Sequence, residues 1–250
     1  MELLPYEVLD HIFSFLRSRP RSLLACSDAH PIFAQIVERY LYYHIIIPSI
    51  SPQSDHRRGY RLELWRIIEV LSETPHINDY VRIMEITFKD YNMRYTAPIF
   101  SRFRSLQCIK LPYCGSWQSL DLRDAMADCL RLPTLQEVHF GDIGVPLSIL
   151  EGRANITRIS LSRYIQPFDG PHRSEFPQLE SLFADNFPSH IWDCLMKWGK
   201  RHLVKLQSVT HQYSGEKFLE LLGICSNSLR DLDVIMPSGS ICQLPFHFET

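Results

Sequence analysis

The chain is 250 residues long, enough to bury a sizeable core, and its 45% hydrophobic and 22% charged residues are the balance of an ordinary globular protein. A formal net charge of -2 argues against a nucleic-acid footprint, and the cluster Arg17, Arg19 and Arg21 is local and reads as solvated surface. No stretch approaches the roughly 18 apolar residues of a membrane span, and the N-terminus lacks the basic start and apolar run of a signal peptide.

Residues 4–16 predict a helix opened by Pro5, whose fixed φ and missing N–H suit a first turn, with Glu7 at the positive end of the helix dipole. Leu9, Ile12, Phe13 and Leu16 form one apolar stripe at helical spacing. Val8 and Phe15 lie off it, so the helix is apolar over more of its girth than one small core requires. Residues 21–30 predict a second helix with Ser22 as N-cap, and Pro31 opens a third in which Ile32, Phe33, Ile36, Val37, Tyr40 and Leu41 recur with the same period. Tyr43 to Ile47 is β-branched and predicts a strand. The order Leu4-Pro5-x-Glu7, Ile12-Phe13-x-x-Leu16, Ser22-Leu23-Leu24-x-Cys26 and Phe33 resembles the F-box, with Phe33 in the place where the family usually has Trp. That resemblance implies a three-helix module over residues 1–48 that docks on a Skp-type adaptor and, through it, a cullin. It implies Leu4, Pro5, Val8, Ile12, Phe15, Leu16 and Phe33 as adaptor-facing or supporting residues.

Residues 49–79 begin with the most loop-like run of the chain, Pro48 to Asp55, and continue as a helix carrying Leu62, Leu64, Trp65, Ile67, Ile68 and Leu71 that stops before Pro75. From residue 80 a template of apolar-x-x-apolar-x-apolar recurs seven times: Val81-Met84-Ile86, Leu106-Ile109-Leu111, Leu135-Val138-Phe140, Ile156-Ile159-Leu161, Leu179-Leu182-Ala184, Leu203-Leu206-Ser208 and Leu229-Leu232-Val234. The intervals fall within the ~20–29 residues of a leucine-rich repeat. Helix-like pieces, Leu120 to Leu132, Ile191 to Trp198 and Glu216 to Cys225, lie between templates. The array over 80–250 resembles the irregular leucine-rich repeats often found behind an F-box, without the usual Asn or Cys ladder in most repeats. The expected fold is therefore α/β: a three-helix F-box-like module followed by an irregular solenoid of about seven units with parallel strands on its concave face. After Val234 no cap is evident, and only Ile241, Leu244 and Phe246 stand ready to cover the last edge, which reads as a chain shorter than its relatives.

Side chains alternate along a strand, so the residues flanking each template's core positions line the opposite face. One such row reads Ile83, Cys108, Glu137, Arg158, Ser181, Lys205, Asp231; the next reads Glu85, Lys110, His139, Ser160, Phe183, Gln207, Asp233. Interleaved charges can satisfy one another through modest cross-strand pairs. The functional alternative is a surface for a protein substrate, with Glu137, Arg158, Phe183, Lys205 and Asp231 as its contacts and Phe183 as aromatic anchor.

Signatures of chemistry are missing: no Walker loop, no G-x-S-x-G, no G-x-G-x-x-G and no H-E-x-x-H. Cys26, Cys108, Cys114, Cys129, Cys194, Cys225 and Cys242 make no C-x-x-C pair, which reads as reduced thiols of a cytoplasmic or nuclear protein. Cys108 or Cys114 meeting His139 across adjacent repeats is the one nucleophile candidate, and no motif supplies an activating base. No run has the spacing of a metal site, so no cofactor is expected. The leading expectation is a non-catalytic substrate receptor of an SCF-type ubiquitin ligase, with an unidentified protein substrate and neither nucleic acid nor membrane as partner. Its rival is a repeat scaffold whose F-box-like segment only caps the solenoid. The two part on whether Leu4, Val8 and Phe15 are exposed.

Overall fold

The computed structural model describes residues 4–47, 60–61, 64–87, 99–100, 102–113, 120–142, 144–161, 176–184, 193, 195, 203, 205–211, 216–235 and 241–245. Among them are six α-helices and ten strands in an α/β arrangement. None of the described helices is long and apolar enough to cross a membrane.

Three helices come first: α1 (Tyr6–Leu16), α2 (Pro20–Ala29) and α3 (Pro31–Leu41). Pro5 is the N-cap of α1, and its carbonyl accepts the N–H groups of Val8 and Leu9 at 3.0 and 3.1 Å. Ser22 does not cap α2; Pro20 occupies the first turn, and the Arg19 carbonyl takes the Ser22 and Leu23 N–H groups. Pro31 opens α3, where His30 Nδ1 accepts from the Ile32 N–H at 3.2 Å. The helices bury Leu9, Phe13, Leu23, Ile36, Val37 and Leu41 in a core of their own.

The remaining strands form one sheet in the order β10-β9-β8-β7-β6-β5-β4-β3-β1-β2. These are β1 (His44–Ile47), β2 (Tyr60–Arg61), β3 (Ile83–Thr87), β4 (Cys108–Tyr113), β5 (Glu137–Asp142), β6 (Arg158–Leu161), β7 (Ser181–Ala184), β8 (Ser208–His211), β9 (Asp231–Ile235) and β10 (Ile241–Pro245). All neighbours are parallel except β9 and β10. The strand at residues 44–47 is thus hydrogen-bonded into the sheet, beside β3. Residues 60–61, just ahead of the expected helix, pair with β1, and the helix α4 runs Leu64–Glu73.

Consecutive strands from β3 to β9 lie side by side and parallel, so each connection returns along the sheet before the next strand begins. The return elements α4, α5 (Leu120–Cys129) and α6 (Glu216–Cys225) put Ile67, Leu71, Met126, Cys129, Leu221 and Cys225 into the same core as the strands. All fifteen positions of the first five templates are buried there, Ala184 included. Gly141 is required by close packing between strands, because a Cβ at this position would run into the backbone of Pro112 on β4.

The sixth template is displaced from its expected place. Ser181 pairs with Ser208, Leu182 with Val209 and Ala184 with His211, so the repeating unit is Leu206-Val209-His211 rather than Leu203-Leu206-Ser208. Lys205 consequently lies in an exposed turn before β8 and is not a member of the open-face row, where Ser208 stands in its place. The edge after β9 is also not bare: β10 pairs antiparallel with it, from Ile241 opposite Ile235 to Pro245 opposite Asp231.

A polar row that the repeat pattern conceals ties neighbouring units together. Asn155 Nδ2 donates to the carbonyls of Leu132 and Leu135 at 2.8 and 2.6 Å. Thr134 Oγ1 donates to that of Leu106 at 2.9 Å, and Ser228 Oγ to that of Leu206 at 2.8 Å. Each of these residues immediately precedes a template start and bonds the previous start. Asn155→Ala would leave two inter-repeat carbonyls without this donor and is expected to cost about 1–3 kcal/mol, read as a lower denaturant midpoint with an unchanged slope.

Candidate functional site

Two surfaces stand out, one on α1 and one on the open face of the sheet. Leu9 and Phe13 are buried in the helical core, and Leu16 packs against it half-buried, so the inward stripe of α1 is 9, 13 and 16. Leu4 is 53% exposed, Val8 43%, Ile12 43% and Phe15 70%, and Pro5 is exposed as well. On α1, residues 8, 12 and 15 follow helical spacing, so they form a second apolar row beside the first. Ile12, expected in the inward stripe, belongs to this outer row. Leu24 on α2 and Ile32 on α3 are further exposed apolar side chains of the same module.

The seven residues picked from sequence are thereby divided. Leu4, Pro5, Val8, Ile12 and Phe15 face solvent. Leu16 and Phe33 pack inward, Phe33 meeting the Phe13 ring edge-on at 5.5 Å between centroids. A polar clamp fixes α1 on α3. Tyr40 Oη donates to Asp10 Oδ1 at 2.5 Å, Arg39 forms an ion pair with the same carboxylate, and the Arg39 guanidinium lies 5.6 Å from the Tyr6 ring centroid and 5.2 Å from that of Tyr40. The helical module also meets the sheet: Tyr42 packs against both cores, and His76 Nε2 lies 3.0 Å from Glu38 Oε2.

On the open face, strand pairing sets Cys108, Glu137, Arg158, Ser181, Ser208 and Asp231 in one row and Lys110, His139, Ser160, Phe183, Thr210 and Asp233 in the next. Phe183 is 37% exposed, between buried Leu182 and Ala184. It is paired with Ser160 on one side and Thr210 on the other, so no aromatic or charged residue flanks it in the row. Arg158 and Asp231 are exposed. Glu137 is half-buried and already engaged, with His139 Nε2 at 2.5 Å and Arg158 Nη1 at 3.9 Å from its carboxylate. The hydrogen bond from His139 holds the Glu137 carboxyl below its ordinary value, helped by the charges of Lys110 and Arg158.

Cys108 is only 5% exposed even on this open face. Burial pushes its thiol up to about 12, and the Glu137 carboxylate beside it acts in the same direction. A thiol in that state is a hydrogen-bond donor and not a nucleophile. Cys129, within the core, is likewise held near 12 by burial. Cys114 lies outside the described residues. The meeting of Cys108 with His139 across adjacent repeats, expected from the repeat pattern, is present, with Glu137 as the direct strand partner of Cys108.

The two stripes of α1 should respond oppositely to mutation. Phe13→Ala is expected to destabilise the helical module by about 3–5 kcal/mol. Val8→Ser combined with Phe15→Ser should leave thermal and denaturant midpoints within roughly 0.5 kcal/mol of the parent, since neither side chain packs in a core. No protein-family model, curated protein or solved structure matches this chain.

Proposed function

We propose that this chain is a substrate-recognition subunit of an SCF-type cullin-RING ubiquitin ligase. Its three-helix module serves as an F-box for a Skp-type adaptor, and its sheet serves as an irregular leucine-rich-repeat surface for a target protein. The observation that carries this reading is the outer row of α1. Val8, Ile12 and Phe15, with Leu4 just ahead of the helix, stay exposed although Leu9 and Phe13 of the same helix are buried in the helical core. Such an apolar row on a soluble surface is what a protein partner covers, and the F-box resemblance supplies the kind of partner. Covering the part of each side chain still exposed would yield about 1–2 kcal/mol apiece, together the scale of a stable anchor.

The protein's own contribution to the reaction is then proximity. The adaptor is held at one end and the target along the sheet, so the chemistry is performed in trans by the conjugating enzyme, with the effective concentration of the target raised at its active site. Phe183, Arg158 and Asp231 are the exposed residues of the sheet best placed to read a target. Lys205, off the row, and Glu137, engaged by its neighbours, contribute less. This division of labour fits a cytoplasmic or nuclear protein.

The rival reading, in which the helices merely cap the repeats, draws on the contact of Tyr42 with both cores. Capping leaves the outer row of α1 without a purpose, and that favours the adaptor. The test is copurification and direct titration with a Skp-type adaptor. The intact protein should bind at or below micromolar concentration, and Val8→Ser with Phe15→Ser should weaken binding by about 100-fold or more while the fold persists. An intact chain that ignores the adaptor at micromolar concentration would sink the ligase reading. On the other surface, Phe183→Ala should reduce retention of a target captured from native extract while shifting the melting temperature little. A large loss of stability would instead assign Phe183 to the core.

A further inference from the structure

We propose that Cys108, Glu137 and His139 form a three-ligand site for a divalent metal ion of the zinc type on the open face of the sheet. Cys108 on β4 is the direct cross-strand partner of Glu137 on β5, and His139 follows Glu137 by two residues and so shares its face. The cysteine sulfur, a carboxylate oxygen and an imidazole nitrogen all lie within 4.8 Å of one another. Around a tetrahedral zinc ion, with bonds of about 2.0–2.3 Å, ligand atoms stand about 3.3–3.8 Å apart, so small side-chain rotations bring all three onto one ion. This site is independent of the adaptor reading.

The donor set selects the metal. One sulfur, one nitrogen and one oxygen suit zinc or cobalt, whereas calcium and magnesium require oxygen ligands throughout. Charge supports the same assignment. Binding releases the Cys108 thiol proton to solvent, the thiolate and the Glu137 carboxylate balance the two charges of the ion, and His139 coordinates through a ring nitrogen that carries no proton, giving up its hydrogen bond to Glu137. A buried thiol that is hard to ionise alone becomes an anion whose charge the metal cancels. Lys110 and Arg158, whose positive charges already act on Glu137, oppose the bare cation. They set the expected affinity in the micromolar range rather than at that of a four-cysteine site. The fourth tetrahedral position is left to water, as in three-ligand zinc sites generally.

The experiment is a titration of the purified full-length, reduced, metal-free protein with Co²⁺, followed by Zn²⁺. The expected result is a thiolate-to-cobalt charge-transfer band with tetrahedral ligand-field bands, saturating at one ion per chain and displaced by Zn²⁺. Cys108→Ser should remove the charge-transfer band, His139→Gln should weaken binding by more than about tenfold, and Cys129→Ser should change neither. Circular dichroism establishes that each variant is folded. His139→Gln, at a half-exposed position, provides the decision if Cys108→Ser does not fold. Absence of the band in the intact protein up to about 100 micromolar Co²⁺, or its survival in either Cys108→Ser or His139→Gln at undiminished affinity, overturns the proposal.

Discussion

Strand register in this protein is set by main-chain carbonyls at the entrance to each strand. Those of Tyr43, Arg82, Gln107, Gln136, Thr157 and Gln207 each accept two N–H groups from the start of the following strand, and the Glu180 carbonyl accepts one from Gln207. Because side chains alternate, fixing the register at one residue fixes which face every other residue of that strand occupies. This places Met84, Ile109, Val138, Ile159, Leu182, Val209 and Leu232 in one buried row. A slip by one residue would exchange that row with the charged one. The side-chain bonds of Thr134, Asn155 and Ser228 reinforce the same register from the turn before each strand.

The helical module obeys a different constraint. Its core is separate from that of the sheet, small, and completed with one stripe of α1. The second stripe is therefore surplus to folding, and water gains nothing from it. It is held in place by the packing of Leu9 and Phe13 together with the Asp10, Arg39 and Tyr40 clamp, which joins α1 to α3 through a carboxylate shared by a hydroxyl and a guanidinium. A partner meeting this row would find it already ordered, with little conformational entropy left to lose.

The open face of the sheet combines features that are individually weak. Part of its charge converges on Glu137, where His139, Lys110 and Arg158 act on one carboxylate, while Asp231 stays exposed farther along the row. Exposed ion pairs of this kind contribute little to stability. What distinguishes the face is the concentration of chemistry at β4 and β5, where a buried thiol meets a carboxylate and an imidazole, and the separate aromatic ring on β7. The two lie on strands separated by β6, so a ligand of one need not obstruct the other.

Much of this architecture was legible in the sequence. Apolar periodicity located α1, α3, α4, α5, α6 and the buried triplets of five templates, because burial of one face imposes a period that the residues must carry. The sixth strand escaped for a definite reason. Leu203, Leu206 and Val209 are spaced three apart, so the template fits at either of two offsets, and only pairing with β7 and the Ser228 bond to Leu206 choose between them. Strand β10 carries too short an apolar pattern to announce itself and exists through its pairing with β9. On α1 the sequence determined that apolar residues cover more than one face, while tertiary packing decided that 9, 13 and 16 turn inward and that 8, 12 and 15, with Leu4 just ahead of the helix, remain outside. Helical spacing makes both stripes equally good, and only the position of α2 and α3 breaks the tie. Likewise the repeat pattern set Cys108 beside Glu137 and near His139, while only the tertiary structure decided how closely the three side chains approach and that the thiol is buried, because side-chain distance and burial are properties of the stacking and not of the chain.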